Sequence, residues 1–257
     1  MPLIELRNVY KQFGRLLVLN HVNLAIEEGK TLVVIGASGS GKSVMLKHIV
    51  GLLKPDEGEV WYRGERIDNL SERQLVPIRQ KFGFLFQMGA LFDSMTVEEN
   101  VAFPLVEHTN KTPEDIDRIV GQKLAMVGLP ETRKKMPGEL SGGQRKRIAL
   151  ARAIALDPQV ILYDEPTTGL DPIRADVINE LILKLKRELH VTSIVVTHDM
   201  HSAFKVADRI VMLYQGNFIF DGTPEEIEKS DNPVIQHFVR GEAGPEDLAA
   251  LDQTAPG

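Results

Sequence analysis

Thr31-Leu-Val-Val-Ile-Gly-Ala-Ser-Gly-Ser-Gly-Lys-Ser43 decides the fold of this 257-residue chain. Leu32 to Ile35 is a short apolar run rich in β-branched residues, which predicts a buried strand. Gly36 to Gly41 predicts a tight turn, and Val44 to Val50 a helix. G-x-x-x-x-G-K-S between a strand and a helix is the pattern of a phosphate-binding loop. Gly36, Gly39 and Gly41 let successive N–H groups, those of Ser38 and Ser40 among them, converge on one anion. The helix N-terminus adds unpaired N–H groups and the positive end of its dipole. Lys42 supplies a mobile cation for the outer phosphates, and Ser43 a hydroxyl for Mg²⁺. A plain Gly-rich turn before a helix is the competing reading, and the flanking elements weigh against it.

Downstream, Val160-Ile-Leu-Tyr163 stops at Asp164-Glu165, and Ser193-Ile-Val-Val-Thr197 stops at His198-Asp199. Strands separated by helices predict a largely parallel sheet with ligands at the carboxyl ends of the strands. Gly36, Asp164-Glu165 and His198 are therefore expected at one sheet edge. Beside a phosphate loop, Asp164 can hold Mg²⁺ through its water shell. Glu165 then sits where a carboxylate can orient or deprotonate an attacking water. His198 can hydrogen-bond the outermost phosphate there, although a lone His is more often structural. Gln87, ending the short strand Lys81 to Phe86, offers an amide to the metal or the water.

The remaining elements are ordinary by comparison. Leu3 to Val9 and Leu16 to Ile26 read as strands, joined by a turn over Tyr10 to Gly14 that carries two aromatics. Either aromatic can stack on a base or simply fill core. Gly58 to Ile67 and Arg209 to Asp221 read as hairpins, the second turning at Gln215-Gly-Asn217. Thr96 to Leu129 is helical in pattern, with Thr112-Pro-Glu-Asp115 starting a new helix. A further helix is expected from Ser141 to Leu156, its basic triplet Arg145 to Arg147 forming a solvated face. Asp171-Pro172 caps another, with an apolar stripe of Val177, Ile178, Leu181, Ile182, Leu185 and Leu189. Pro224 to Arg240 reads as helical with a break near Pro233. From Gly241 the tail is rich in Ala, Gly, Pro and acids, and is expected to be mobile.

Composition narrows the function classes. A net charge of −6 argues against a generic nucleic-acid surface, with local basic patches still open. With no cysteine there is neither disulfide nor thiolate chemistry. No run of 18 apolar residues is present, so membrane work would require another chain.

Leu140-Ser-Gly-Gly-Gln144 discriminates most among phosphate-binding classes. Ser141 with Gly142 and Gly143 at a helix start repeats the anion-binding physics of the first loop. Two outer-phosphate sites in one chain suggest that each nucleotide is held between two copies.

Here the sequence resembles the ATP-binding cassette (ABC) ATPases. Phe13 in Tyr-Lys-Gln-Phe-Gly, Gly36 to Ser43, Gln87, Leu140 to Gln144, Val160 to Glu165, Gly169-Leu-Asp171 and His198 match that family's A-loop, Walker A, Q-loop, signature, Walker B, D-loop and H-loop. The match covers about residues 3–240. It implies an α/β P-loop NTPase fold: a RecA-like parallel-sheet core, an antiparallel β subdomain, and a helical subdomain inserted at about 88–157. One ABC ATPase domain, 1–240, would precede the tail, 241–257. The resemblance also implies ATP and Mg²⁺ as ligands. Catalytic roles then fall to Glu165, His198 and Gln87, and metal binding to Ser43, Gln87 and Asp164. Nucleotide contacts fall to Phe13, Gly36, Ser38, Gly39, Ser40, Gly41, Lys42, Ser43, Ser141, Gly142, Gly143, Gln144 and Asp171. Phe13 is favoured over Tyr10 for adenine. A head-to-tail pair of copies, coupled to membrane subunits at the Q-loop, completes the expectation.

Phe86 to Leu105, Tyr163 to Ile173 and Thr197 to Phe204 resemble the ATPases of Mla/Mce-type lipid transporters. Leu91, Phe92 and Met95 form an apolar patch that is either local core or a socket for a membrane subunit; the resemblance favours the socket. It further implies permease subunits docking near Gln87 and Leu91 to Met95, and Mce-domain or periplasmic lipid-binding components. The site of action would be the cytoplasmic face of a bacterial inner membrane, with the chain peripheral. Two departures stand out. The signature ends in Gln144, where the lipid-transport proteins carry Met. The short tail does not resemble the long extension with which some of them clasp a partner. The alternatives are an amino-acid or metal importer ATPase, a soluble cassette of DNA repair or translation, and a slow NTP switch. The soluble cassettes usually have two cassettes or long coiled coils, and no heptad array is present here.

Overall fold

The computed structural model describes residues 1–244. Positions 245–257 of the tail lie outside the described residues. The strands are β1 (Ile4–Phe13), β2 (Leu16–Ile26), β3 (Thr31–Ile35), β4 (Glu57–Tyr62), β5 (Glu65–Arg66), β6 (Phe82–Leu85), β7 (Val160–Asp164), β8 (Thr192–Thr197), β9 (Arg209–Tyr214) and β10 (Asn217–Gly222). They form two sheets. One is antiparallel, in the order β2-β1-β4-β5. The other runs β10-β9-β3-β8-β7-β6, parallel except for the β10 hairpin at its edge.

The central strands read as unbroken apolar runs because both faces are covered. Val33, Ile35, Ile161, Tyr163 and Val195 point into one core, beneath the helices. Leu32, Val34, Leu162, Ile194 and Val196 point into the other, shared with the antiparallel sheet. This period of two fixes the register, since a one-residue slip would exchange the two faces.

The helices are α1 (Lys42–Ile49), α2 (Glu72–Arg79), α3 (Val97–His108), α4 (Pro113–Met126), α5 (Gly142–Ala153), α6 (Pro172–Leu189), α7 (Met200–Val206), α8 (Pro224–Glu228) and α9 (Pro233–Arg240). α3, α4 and α5 pack together as a helical group between β6 and β7 in the chain. Thr96 and Thr112 cap α3 and α4 by accepting from Glu99 N and Asp115 N, and Pro113 occupies the first turn of α4.

Three expectations need correction. The segment Tyr10 to Phe13 is not a turn but the end of β1, with Phe13 paired to Leu16. Aromatic residues favour the strand, and Gly14 alone supplies the turn conformation, at φ 58°. Val177 leaves the apolar stripe of α6 and is exposed, whereas Ile178, Leu181, Ile182 and Leu185 are buried. The basic triplet is not a solvated face: Lys146 is buried, Arg147 half-buried, and only Arg145 exposed.

Candidate active site

The carboxyl ends of β3, β8 and β7 lie side by side, as the strand order requires, and the phosphate loop crosses above them. A cleft of 390 Å³ opens there, lined by Phe13, Ser38 to Ser43, Gln87, Glu165 and His198 among others. All three loop glycines take positive φ, Gly39 at 80°, and Gly36 and Gly41 are crowded as well. A Cβ on Gly36 would meet Leu213 O at 2.3 Å, and one on Gly41 would meet Val18 Cγ1 at 2.7 Å. Gly41 also sits at φ 103°, where an L side chain is strained. Gly41→Ala is therefore expected to cost about 1–3 kcal/mol in loop conformation. Nucleotide affinity should fall roughly tenfold or more, as read by titration calorimetry.

Lys42 is buried, its Nζ donating to Gly36 O at 2.8 Å and Ala37 O at 3.0 Å, with Glu165 Oε1 at 3.7 Å. Burial lowers its pKa, with Glu165 and Asp164 pulling the other way. Ser43 Oγ donates to Asp164 Oδ1 at 2.8 Å. Burial lifts the Asp164 carboxyl above its ordinary range, opposed by that hydroxyl. Ser40 Oγ is buried without a partner in the loop itself, a hydrogen-bonding atom suited to a phosphate oxygen. Among the described residues no cluster of three His, Cys, Asp or Glu could hold a metal. Ser43 and Asp164 alone fit a hard cation that draws its remaining oxygens from phosphates and water, which is the habit of Mg²⁺.

Glu165 occupies the left-handed region at φ 49°, rare for a residue with a side chain. Its Oε2 accepts from Thr168 Oγ1 at 3.1 Å and lies 2.9 Å from His198 Nδ1. With Oε2 so occupied, Oε1 is the freer atom. Phe13 is 45% exposed and lines the cleft, whereas Tyr10 packs on His21 and does not.

The signature turn lies elsewhere. Ser141 caps α5, and Gln144 returns the bond to Ser141 N at 2.9 Å as a capping box. Ser141, Gly143 and Gln144 line a small separate cavity with Arg174 and Val177. Asp171 caps α6 by accepting from Arg174 N and likewise does not line the phosphate cleft. Within one copy, then, the Gly36–Ser43 loop and the Ser141 turn do not meet.

The family model described as ABC transporter matches residues 19–168, more than half of the chain. The chain belongs to the ABC transporter ATPases. It is similar to the probable ribonucleotide transport ATP-binding protein mkl of Mycobacterium tuberculosis, at 45% identity over 238 residues. That alignment covers 93% of this chain and 66% of that protein, so the chain spans just under two thirds of the mycobacterial relative. It is also similar to the intermembrane phospholipid transport system ATP-binding protein MlaF of Haemophilus influenzae, at 43% over 241 residues, 94% of this chain and 91% of that protein. Among solved structures, a dimeric post-hydrolysis ATP-binding cassette bound to ADP and Pi superposes with a TM-score of 0.80. It is 38% identical and covers 86% of this chain and 98% of that one.

Several residues around this ABC ATPase site carried no sequence signal of their own. Lys146, on α5, donates to the carbonyls of Glu165 (3.1 Å), Pro166 (2.8 Å) and Thr168 (2.8 Å), so it holds the loop that bears Glu165. Asp199, next to His198, accepts from Ser202 Oγ at 2.6 Å and Thr167 Oγ1 at 3.2 Å, and Asn179 donates to Ser202 Oγ. Burial works against the Asp199 carboxylate, but these donors prevail and hold its pKa down. The network ties the Glu165 loop to the His198 loop. Asp199→Ala should cost about 1–3 kcal/mol, because the Ser202 and Thr167 hydroxyls lose their carboxylate acceptor and α7 loses its N-cap. A urea melt reads that loss.

A second cavity, a groove of 650 Å³, lies between the parallel sheet and the helical group. Phe82, Phe84, Phe86, Phe92 and Phe103 line it, with Phe84 and Phe86 stacked at 4.1 Å. The apolar patch read from the sequence divides here. Leu91 packs on the core, while Phe92 faces the groove. Buried Asn100 fixes this wall: Phe92 N donates to its Oδ1, and its Nδ2 donates to the carbonyls of Phe92, Met95 and Thr96.

Proposed function

We propose that this chain is the ATP-hydrolysing subunit of a Mla/Mce-type lipid transporter, working as a head-to-tail pair around two ATP molecules. One observation carries the coupling half of this reading: Phe86 lines the aromatic groove while its neighbour Gln87 lines the phosphate cleft. A partner seated in the groove would thus touch the residue next to Gln87, which lines the phosphate cleft. The separation of the Ser141 turn from the cleft supports the paired arrangement, since a second copy would bring the missing anion site.

In this reading the loop N–H groups, Ser38 to Ser43 and Lys42 hold the phosphates, and Phe13 stacks on adenine. Ser43 and Asp164, joined by Gln87, would hold Mg²⁺, which supplies charge stabilisation to the phosphates. Glu165 accepts the proton of the attacking water at Oε1. His198 holds Oε2 and keeps the carboxylate aimed. Ser141 to Gln144 and Asp171 serve the nucleotide bound to the other copy.

The lipid assignment draws on MlaF, of which this chain spans 91%, and on the segments 86–105 and 163–173. The mycobacterial relative is named for ribonucleotide transport, and the alignment covers 66% of its length. No helix among the described residues is long and apolar enough to cross a membrane, in keeping with a peripheral place at the cytoplasmic face. Affinity purification from native membranes tests the reading. Recovery of a multi-span permease with a single-span Mce-domain protein is expected. A permease with a periplasmic solute-binding protein would instead mark a small-solute importer, and no membrane partner would mark a soluble switch.

A further inference from the structure

The aromatic groove contains one charge that the chain leaves largely unanswered. Arg152, on α5, is half-buried in its lining; Nη2 donates to Gly89 O at 3.0 Å and the guanidinium carbon lies 5.4 Å from the Phe92 ring centroid. No carboxylate among the described residues forms an ion pair with it. The contrast with Arg79, in the same groove, is direct. Arg79 is paired to Glu72 at 2.6 Å and donates to the carbonyls of Val50 and Gly51. The lining holds Arg79, Arg152 and His108 but no Asp or Glu. Burial pushes the Arg152 pKa down, with no neighbouring charge to raise it.

We infer that the segment of the membrane subunit seated in this groove brings a carboxylate to Arg152. The inference rests on the groove being the permease dock, and it names the chemistry of that dock. Apolar side chains against the five phenylalanines would strip water from the guanidinium, and a desolvated charge without a counter-ion is costly. A carboxylate answers the planar fork with two parallel charge-assisted bonds, which an ammonium-binding or neutral contact cannot match. The expected occupant is an amphipathic helix with aliphatic or aromatic anchors flanking one Asp or Glu.

The test begins with the native complex. A photo-crosslinker, p-benzoylphenylalanine, replaces Phe103 in cells of the source organism, and the captured peptide is sequenced. A membrane-subunit peptide containing Asp or Glu is expected. In the second step, Arg152→Gln should weaken co-purification with that subunit roughly 30-fold or more. Arg152→Glu paired with an acid-to-Arg change in the partner should restore it. A captured membrane peptide lacking any Asp or Glu overturns the pairing while leaving the dock intact, with helix-end carbonyls as the acceptor. Wild-type assembly by a folded Arg152→Gln overturns it as well. Capture of no membrane protein overturns the dock itself, and the pairing with it. Because the crosslink is made with Arg152 in place, it decides the matter even if the Gln variant does not fold.

Discussion

Glu165→Gln should bind ATP normally, lose about 10²- to 10⁴-fold in turnover, and accumulate as an ATP-bound dimer. The substitution keeps the shape and hydrogen-bonding capacity of the side chain, so Thr168 Oγ1 and His198 Nδ1 can still be engaged at their present distances of 3.1 and 2.9 Å. What disappears is the carboxylate facing Lys42 at 3.7 Å, the group placed to take a proton from water. Removing a negative charge beside a polyphosphate does not weaken nucleotide binding, so the loss falls on the chemical step. Steady-state phosphate release and size-exclusion chromatography with ATP give the two readouts. Near-normal turnover would assign the proton to another acceptor.

Lys146→Met is expected to lower turnover about 100-fold while leaving stability near that of the wild type. Two opposing effects set the stability. Three carbonyls lose their donor at about 1 kcal/mol each, and the chain is relieved of a desolvated ammonium at a cost of similar order. The loop bearing Glu165, however, is no longer held at its three carbonyls, and a displacement near 1 Å at a reacting group can cost about 10² in rate. The pH profile separates positioning from mere packing. Burial lowers the Lys146 pKa from 10.5 to about 8. As pH rises through 8 the amine keeps two N–H donors for three carbonyls, so turnover should fall on the alkaline side. Stability moves the opposite way. Between pH 8 and 10.5 the unfolded chain binds more protons than the folded one at this residue, so its contribution to stability rises with pH. Falling activity without a falling melting temperature is the expected signature. Lys146→Arg, which does not titrate there, should lose the alkaline limb.

The parts of the site that were legible in the sequence are those built from short-range pattern. Gly36, Asp164-Glu165 and His198 could be placed on one edge because each ends a strand that is apolar on both faces, and β3, β8 and β7 do lie adjacent. The caps at Thr112 and Asp171 and the helix start at Ser141 were equally visible, since each sits within a few residues of the N–H groups it serves. Helix α2 escaped notice because Pro77 lies inside it, where a proline normally argues against a helix. The polar residues that support the site were invisible for another reason. Asn100, Lys146 and Arg152 act chiefly through backbone carbonyls, and Asp199 ties the His198 loop to the Glu165 loop through the Thr167 hydroxyl 32 residues away, roles that nothing in residue type marks. Lys146 was hidden further by Arg145 and Arg147, whose company reads as a solvated charge run.

The structure of Glu165→Gln with ATP and Mg²⁺ tests the central claim most directly. Two chains should enclose two nucleotides, each adenine on Phe13, with each outermost phosphate held by Lys42 of one chain and by Ser141 of the partner subunit. ATP bound in the phosphate cleft with the Ser141 turn facing solvent would contradict the shared site.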